Sequence, residues 1–80
     1  MNEYLLKIYE ERKARAEACK ERLLAVHAEI LRKSSASVGG GEPYLMAERR
    51  ADTAALQTAM AEMGEALQAI QEIEEAERGR

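Results

Sequence analysis

Residues 34–43, "SSASVGGGEP", decide the fold, because in this run small and flexible residues displace the helix formers that dominate the rest of the chain. Three consecutive glycines can cradle a phosphate or can simply form a hinge. A phosphate loop needs a preceding strand, and a Lys with Ser or Thr directly after the glycines. Glu42 and Pro43 follow here instead, and the Glu42 carboxylate would compete with a phosphate for the positive end of a helix. The stretch therefore predicts a hinge between two helices.

The segment before the hinge predicts one long helix over about residues 3–33, with Asn2 as its N-cap. Its seam residues recur at three- and four-residue spacings, as in a coiled coil. The seam consists of Leu5, Ile8, Arg12, Ala16, Cys19, Leu23, Val26 and Ile30. Further apolar residues widen the stripe: Leu6, Tyr9, Leu24 and Leu31. A helix with so wide an apolar face usually contacts more than one neighbour.

The segment after the hinge predicts a second helix over about residues 43–78, with Pro43 in its first turn. Its seam consists of Leu56, Met60, Met63, Leu67, Ile70 and Ile73. An alternative makes residues 44–46 a short strand and begins the helix after Asp52, because a backward extension of the seam puts Asp52 and Arg49 on the core side. Few β-branched residues surround the hinge, which favours the continuous helix.

Together these patterns predict an all-α fold for a single domain of residues 1–80: an antiparallel, coiled-coil-like hairpin of two helices joined by a Gly-rich elbow at residues 34–42. Pairing the helices outward from Val38 sets Arg12 opposite Gly64, so we expect the glycine to make room for the arginine. A compact chain of this length buries only about 60–65% of its unfolded surface, and a two-helix hairpin buries less. We therefore expect oligomerisation or partner binding to complete a bundle.

The charge distribution argues against several classes of partner. The net charge is −3; residues 1–33 carry eight Lys and Arg against six acids, and residues 34–80 carry four Arg against nine acids. The halves are weakly complementary, and neither has the dense basic stripe that nucleic acid demands. No apolar run approaches the roughly 20 residues that span a membrane. We expect no nucleic acid or membrane partner, and a cytoplasmic location, or a virion for a phage-derived chain.

The sequence predicts no catalytic, cofactor-binding or metal-binding residue. A metal site at His27 would need a second ligand three or four residues away on the same face, and leucines and isoleucine occupy those positions. Cys19 lies on the seam and behaves there as a small buried hydrophobe. A di-metal bundle would need histidines among the glutamates of the second helix, which has none. A solvated face is predicted for Glu62, Glu65, Glu72, Glu74, Glu75 and Glu77.

The side chains predicted to form helix–helix interfaces come from both seams. They are Leu5, Ile8, Cys19, Leu23, Val26, Ile30, Leu56, Met60, Met63, Leu67, Ile70 and Ile73. Ordinary core packing is the favoured role of the two methionines. Arg49 and Arg50, near Tyr44, form the most notable exposed group. They have two open interpretations: contact with a phosphate or an acidic partner, or solubilisation of a helix end.

One arrangement resembles a known family. "KSSASVGGGEPYLM" at residues 33–46 ends a long amphipathic helix, and "ERRADTAALQTAMAEMGEAL" at residues 48–67 resumes as helix. The pattern resembles small phage head-completion (head–tail joining) proteins, which implies a structural, multi-copy role in the virion neck. That family has a β-hairpin between its helices, for which this segment lacks alternating β-branched residues. No functional residue is carried over from the family.

Two function classes follow. The first is a non-enzymatic structural or assembly protein that acts through helix–helix packing, for example a phage virion connector or neck component. Its partners would be itself, as a homo-oligomer, or another helical protein. The alternative is a small regulatory binder, such as an antitoxin, an anti-defence protein or an adaptor, whose acidic second half occupies a partner's surface. An enzyme is not expected, because a two-helix hairpin offers no interior for convergent polar groups.

Overall fold

The computed structural model describes residues 1–79, which form two antiparallel helices packed side by side. Helix α1 is Glu3–Gly40 and helix α2 is Met46–Arg78. The rod they form measures 59 × 15 × 15 Å. No strand occurs among residues 1–79, so the predicted all-α helical hairpin is confirmed and the alternative strand at residues 44–46 is wrong. Asn2 caps α1 as predicted, since its Oδ1 accepts a hydrogen bond from the backbone N of Leu5 at 2.8 Å.

The end of α1 differs from the prediction. The helix continues through the small residues to Gly40, whereas the sequence predicted its end near residue 33 and an elbow over 34–42. Adding residues to an existing helix is far easier than nucleating one, so poor helix formers extend α1. Pro43 disfavours helical backbone at the preceding residue, and Gly41 leaves the helix with φ of 124°. The connection is therefore confined to residues 41–45.

Helix α2 begins at Met46 and not at residue 43 as predicted. Leu45 is extended, with φ of −66° and ψ of 148°, and the Tyr44 hydroxyl donates to Asp52 Oδ2 at 2.6 Å. Inside a continuous helix these two residues would be about 12 Å apart along the axis, with the Tyr44 side chain directed away from Asp52. The extended backbone at the start of α2 allows Tyr44 to reach Asp52 across the first helical turns.

The predicted pairing of Arg12 with Gly64 is wrong. Arg12 Nη1 donates to the backbone oxygen of Ala69 at 2.6 Å and lies 3.5 Å from Glu72 Oε2. The prediction placed the centre of the hairpin at Val38, but the extension of α1 moves it towards the C-terminus. A Cβ added at Gly64 would meet no described atom within 4 Å, although glycine costs about 1 kcal/mol relative to alanine inside a helix.

The core between the helices is built from small side chains. Four of its five buried members are small, namely Ala16, Cys19, Ala59 and Ala66, and the fifth is Ile73. No polar or charged residue is buried in the described part of the chain. Small side chains allow two helices to approach closely, and the larger apolar residues then pack around that contact, half-buried. Each helix consequently covers only a narrow stripe of the other.

We expect adjacent glycines to respond oppositely to alanine. Gly39→Ala should raise the free energy of unfolding by about 0.4–1 kcal/mol, because Gly39 is helical and alanine restricts the unfolded chain. Gly41→Ala should lower it by about 1–3 kcal/mol, because a side chain disfavours the positive φ of that residue. Urea unfolding followed by far-UV circular dichroism measures both. Shifts of the same sign would contradict this account of the turn.

Candidate interaction surface

The two long sides of the hairpin differ in chemistry. One side, the ionic flank, carries ion pairs that join α1 to α2. They are Arg12–Glu72 at 3.5 Å, Arg15–Glu65 at 3.9 Å and Arg22–Glu62. Exposed pairs of this kind contribute about 0–1 kcal/mol each. These ion pairs therefore add little to the stability of the hairpin, and their main effect is to fix the relative position of the two helices.

The opposite side, the apolar flank, consists of large side chains that neither helix covers. On α1 they are Leu24, Leu31 and Val38, and on α2 they are Met46, Met60 and Leu67. Steps of seven or fourteen residues return to nearly the same helix face, so each set lies along one stripe, which Thr53 interrupts on α2 between Met46 and Met60. Arg22 of the ionic flank lies about 200° around α1 from Leu24, so the two side chains lie on opposite sides of the helix. Val38 is 91% exposed and Leu24 is 57% exposed.

A groove of about 310 Å³ lies on the apolar flank between the two helices. Its lining residues are Leu23, Leu24, His27, Leu56 and Met60. Leu24 of α1 and Met60 of α2 thus share one side of the molecule. The surface of the groove is almost entirely apolar, although the exposed His27 contributes to its lining. The groove suits apolar side chains from another helix and has no set of convergent polar groups.

The predicted interface residues divide between the hairpin contact and the apolar flank. Cys19 and Ile73 are buried. The half-buried ones are Leu5, Ile8, Leu23, Val26, Ile30, Leu56, Met63 and Ile70. Met60 and Leu67 are 57% and 45% exposed, which contradicts the packed role assigned to Met60. Each follows an alanine, Ala59 or Ala66, that is only 3% or 1% exposed, because the smaller residue fits where the helices are closest.

A polar cluster, the turn clasp, joins the helices next to the connection and consists of Lys33, Tyr44 and Asp52. Asp52 Oδ2 accepts hydrogen bonds from the Tyr44 hydroxyl at 2.6 Å and from Lys33 Nζ at 3.0 Å. Lys33 Nζ also lies 3.8 Å from Glu48 Oε2. The guanidinium of Arg49 lies 4.8 Å from the Tyr44 ring centroid. Of the exposed arginine pair, Arg49 is therefore engaged within the chain.

The clasp shifts the acidity of all three members. Hydrogen bonds from Tyr44 and then Lys33 lower the pKa of the Asp52 carboxyl. The hydrogen bond to Asp52 raises the pKa of Lys33 and, because it holds the hydroxyl proton, the pKa of Tyr44. The Asp52 contribution is complete above its unfolded pKa and is lost as pH falls through the lowered folded value. The Lys33 and Tyr44 contributions are complete below their unfolded pKa values and are lost as pH rises through the raised ones.

The other candidate sites stay separate. Cys19 is buried in the helix–helix core, and His27 is exposed at the groove. Among residues 1–79 no group of three or more His, Cys, Asp and Glu side chains could hold a metal ion. Within the same range, neither helix has an apolar stretch that could cross a membrane.

Comparisons with protein-family models, curated proteins and solved structures found no match to this chain. The resemblance to head-completion proteins therefore stays a prediction.

The turn clasp predicts a bell-shaped pH dependence. Tyr44→Phe should lower the melting temperature most between about pH 4 and about pH 10, the ordinary pKa values of Asp and Tyr. The difference from the wild type should shrink on either side as Asp52 is protonated or Tyr44 is ionised. Thermal unfolding at several pH values measures it, with Tyr4→Phe, at an exposed position far from the clasp, as the control. A pH-independent difference would contradict the assigned role of the hydrogen bond.

Proposed function

We propose that this chain is a non-enzymatic assembly protein that packs against a second copy of itself through the apolar flank. The observation that carries the proposal is the uncovered groove at Leu24 and Met60, with apolar stripes continuing from it along both helices. Two hairpins that meet at this flank form a four-helix bundle with a shared core. Helix packing then buries side chains that a single hairpin leaves in water.

The solvent-exposed area of the hairpin is large enough for a stable interface with a second copy. The chain exposes 5978 Å², whereas a compact monomer of 8.9 kDa exposes about 4,800 Å². The excess of about 1,200 Å² exceeds the roughly 800 Å² that each partner buries in a standard interface. The radius of gyration is likewise 17.9 Å, against about 12 Å for a compact chain of this length. A second hairpin along the rod would make the particle more compact.

Charge favours a second copy as the occupant. The groove at the centre of the apolar flank is lined by no Lys, Arg, Asp or Glu, so a symmetric contact centred on the groove does not oppose like charges there. The three ion pairs of the ionic flank lie on the other side of the hairpin and stay in water. A partner recognised through charge would instead need a charged surface on the flank that it covers.

The assembly role fits the expectation of a multi-copy protein that the sequence resemblance implies. A connector in a phage virion neck would use this kind of contact between copies, and this specific role rests on the resemblance. The regulatory binder remains the alternative, supported by the exposed carboxylates of Glu65 and Glu72 on α2. A target bound through those carboxylates would be captured in a salt-sensitive way. Self-association through the apolar flank would depend little on salt.

Sedimentation velocity of the purified chain over a wide concentration range tests the proposal. We expect a species of twice the 8.9 kDa chain mass. Leu24→Glu should weaken association roughly a hundredfold or more, because a buried unpaired carboxylate costs several kcal/mol. Ala25→Glu adds the same charge at an exposed position about 100° around α1 from Leu24 and should leave association unchanged. A wild-type chain that stays monomeric at every concentration would overturn the proposal.

A further inference from the structure

We infer that Gly64 is the notch at which the second hairpin makes its closest approach, an inference that rests on the proposed self-assembly. Neither the backbone conformation nor the packing of the single hairpin requires a glycine at this position. It lies well inside α2, where alanine would favour the helix more. Its backbone does not have the positive φ that requires glycine, which among the described glycines belongs to Gly41. The space beside it is open, and Arg12 lies at Ala69 instead.

The position of Gly64 ties it to the apolar flank. Met60, Gly64 and Leu67 follow one another at intervals of four and three residues, which places them on one face of a helix. Met60 also lines the groove. The missing side chain therefore leaves a gap between two exposed apolar side chains. In packed helices a gap of this kind receives a side chain of the facing helix.

The same chain supplies side chains that fit this gap. Leu24 and Leu31 project from α1 on the apolar flank and are 57% and 54% exposed. In a twofold interface the patch is self-complementary, so a leucine of each copy can enter the notch of the other. The flank thus offers both the protruding and the receding element of one contact. This pairing, together with the exposed area, favours a second copy over an unrelated helix.

Three substitutions test the inference. Gly64→Ala and Gly64→Leu fill the notch. As the matched control, Ala54→Leu adds bulk at an exposed position on the same face of α2 as Glu72 of the ionic flank, which lies five helical turns away. We expect Gly64→Leu to raise the dissociation constant of the dimer roughly ten- to a hundredfold, because the added side chain overpacks the contact. Gly64→Ala should raise the dissociation constant less, and Ala54→Leu should leave it unchanged. Sedimentation velocity gives the dissociation constants.

A second measurement separates the notch from a structural effect. The diluted, dissociated hairpin of Gly64→Ala should melt at a higher temperature than the wild type, because alanine favours the helix. Stability and association should therefore move in opposite directions. Should Gly64→Leu lose helix content by circular dichroism, Gly64→Ala decides, since the space around its Cβ is open.

The outcomes distinguish this inference from the proposed function. If the wild type dimerises, Leu24→Glu dissociates it and both Gly64 variants bind as tightly as the wild type, the notch is wrong and the assembly role stands. If the wild type is monomeric, both fail. Weaker association of the Gly64 variants, with the control unchanged and a more stable diluted Gly64→Ala hairpin, supports the notch.

Discussion

The close contact of two helices through small side chains is the constraint on which the rest of this structure depends. Ala59 and Ala66 are almost completely buried, and the side chains of Ala16 and Cys19 complete the contact from α1. Small residues bring the helices together but bury little apolar area per residue. The hairpin therefore gains its shape from a core that is too narrow to cover its larger apolar residues. Those residues must either face water or pack against another molecule.

The narrow core also explains why the two flanks can differ. Residues beside the seam on one flank are arginines of α1 and glutamates of α2, which meet in water as cross-helix pairs. Residues beside the seam on the other flank are leucines, methionines and His27. Because the exposed ion pairs contribute little energy, their role in the hairpin is to select one relative position of the helices. The apolar flank has no such partner within the described chain.

The spacing of apolar residues predicted the two helices, and the short connection between them predicted their antiparallel packing. The ends of the helices could not be predicted as well, since propensity is local. Small residues from Ser34 onward suggested a stop, whereas Pro43 and Gly41 set the actual end. The predicted spacing of the seam residues was correct, but some of the residues assigned to the seam are not the most deeply buried ones. The spacing placed Met60 on the seam, but the neighbouring Ala59 is the buried residue, because only a small side chain fits where the helices are closest.

The sequence contained a weaker signal for the apolar flank. The excess width of the α1 stripe, through Leu24 and Leu31, predicted contact with more than one neighbour, and both side chains are exposed in the hairpin. The corresponding stripe of α2 was hidden because Met60 and Leu67 were assigned to the seam. Asp52 shows the opposite case. A backward extension of the seam placed it on the core side, and it is half-buried there because Lys33 and Tyr44 satisfy its carboxylate.

The ionic flank would limit the size of the proposed assembly. A hairpin that docked on that flank would have to remove water from arginines and glutamates that are already paired, and desolvating charged groups is costly. Each copy has one apolar flank, and in an assembly held only by that flank both flanks are covered once two copies have met. The assembly therefore closes as a finite particle and does not extend into a filament. The charged pairs would then face outward on both sides of that particle and keep it dispersed in water.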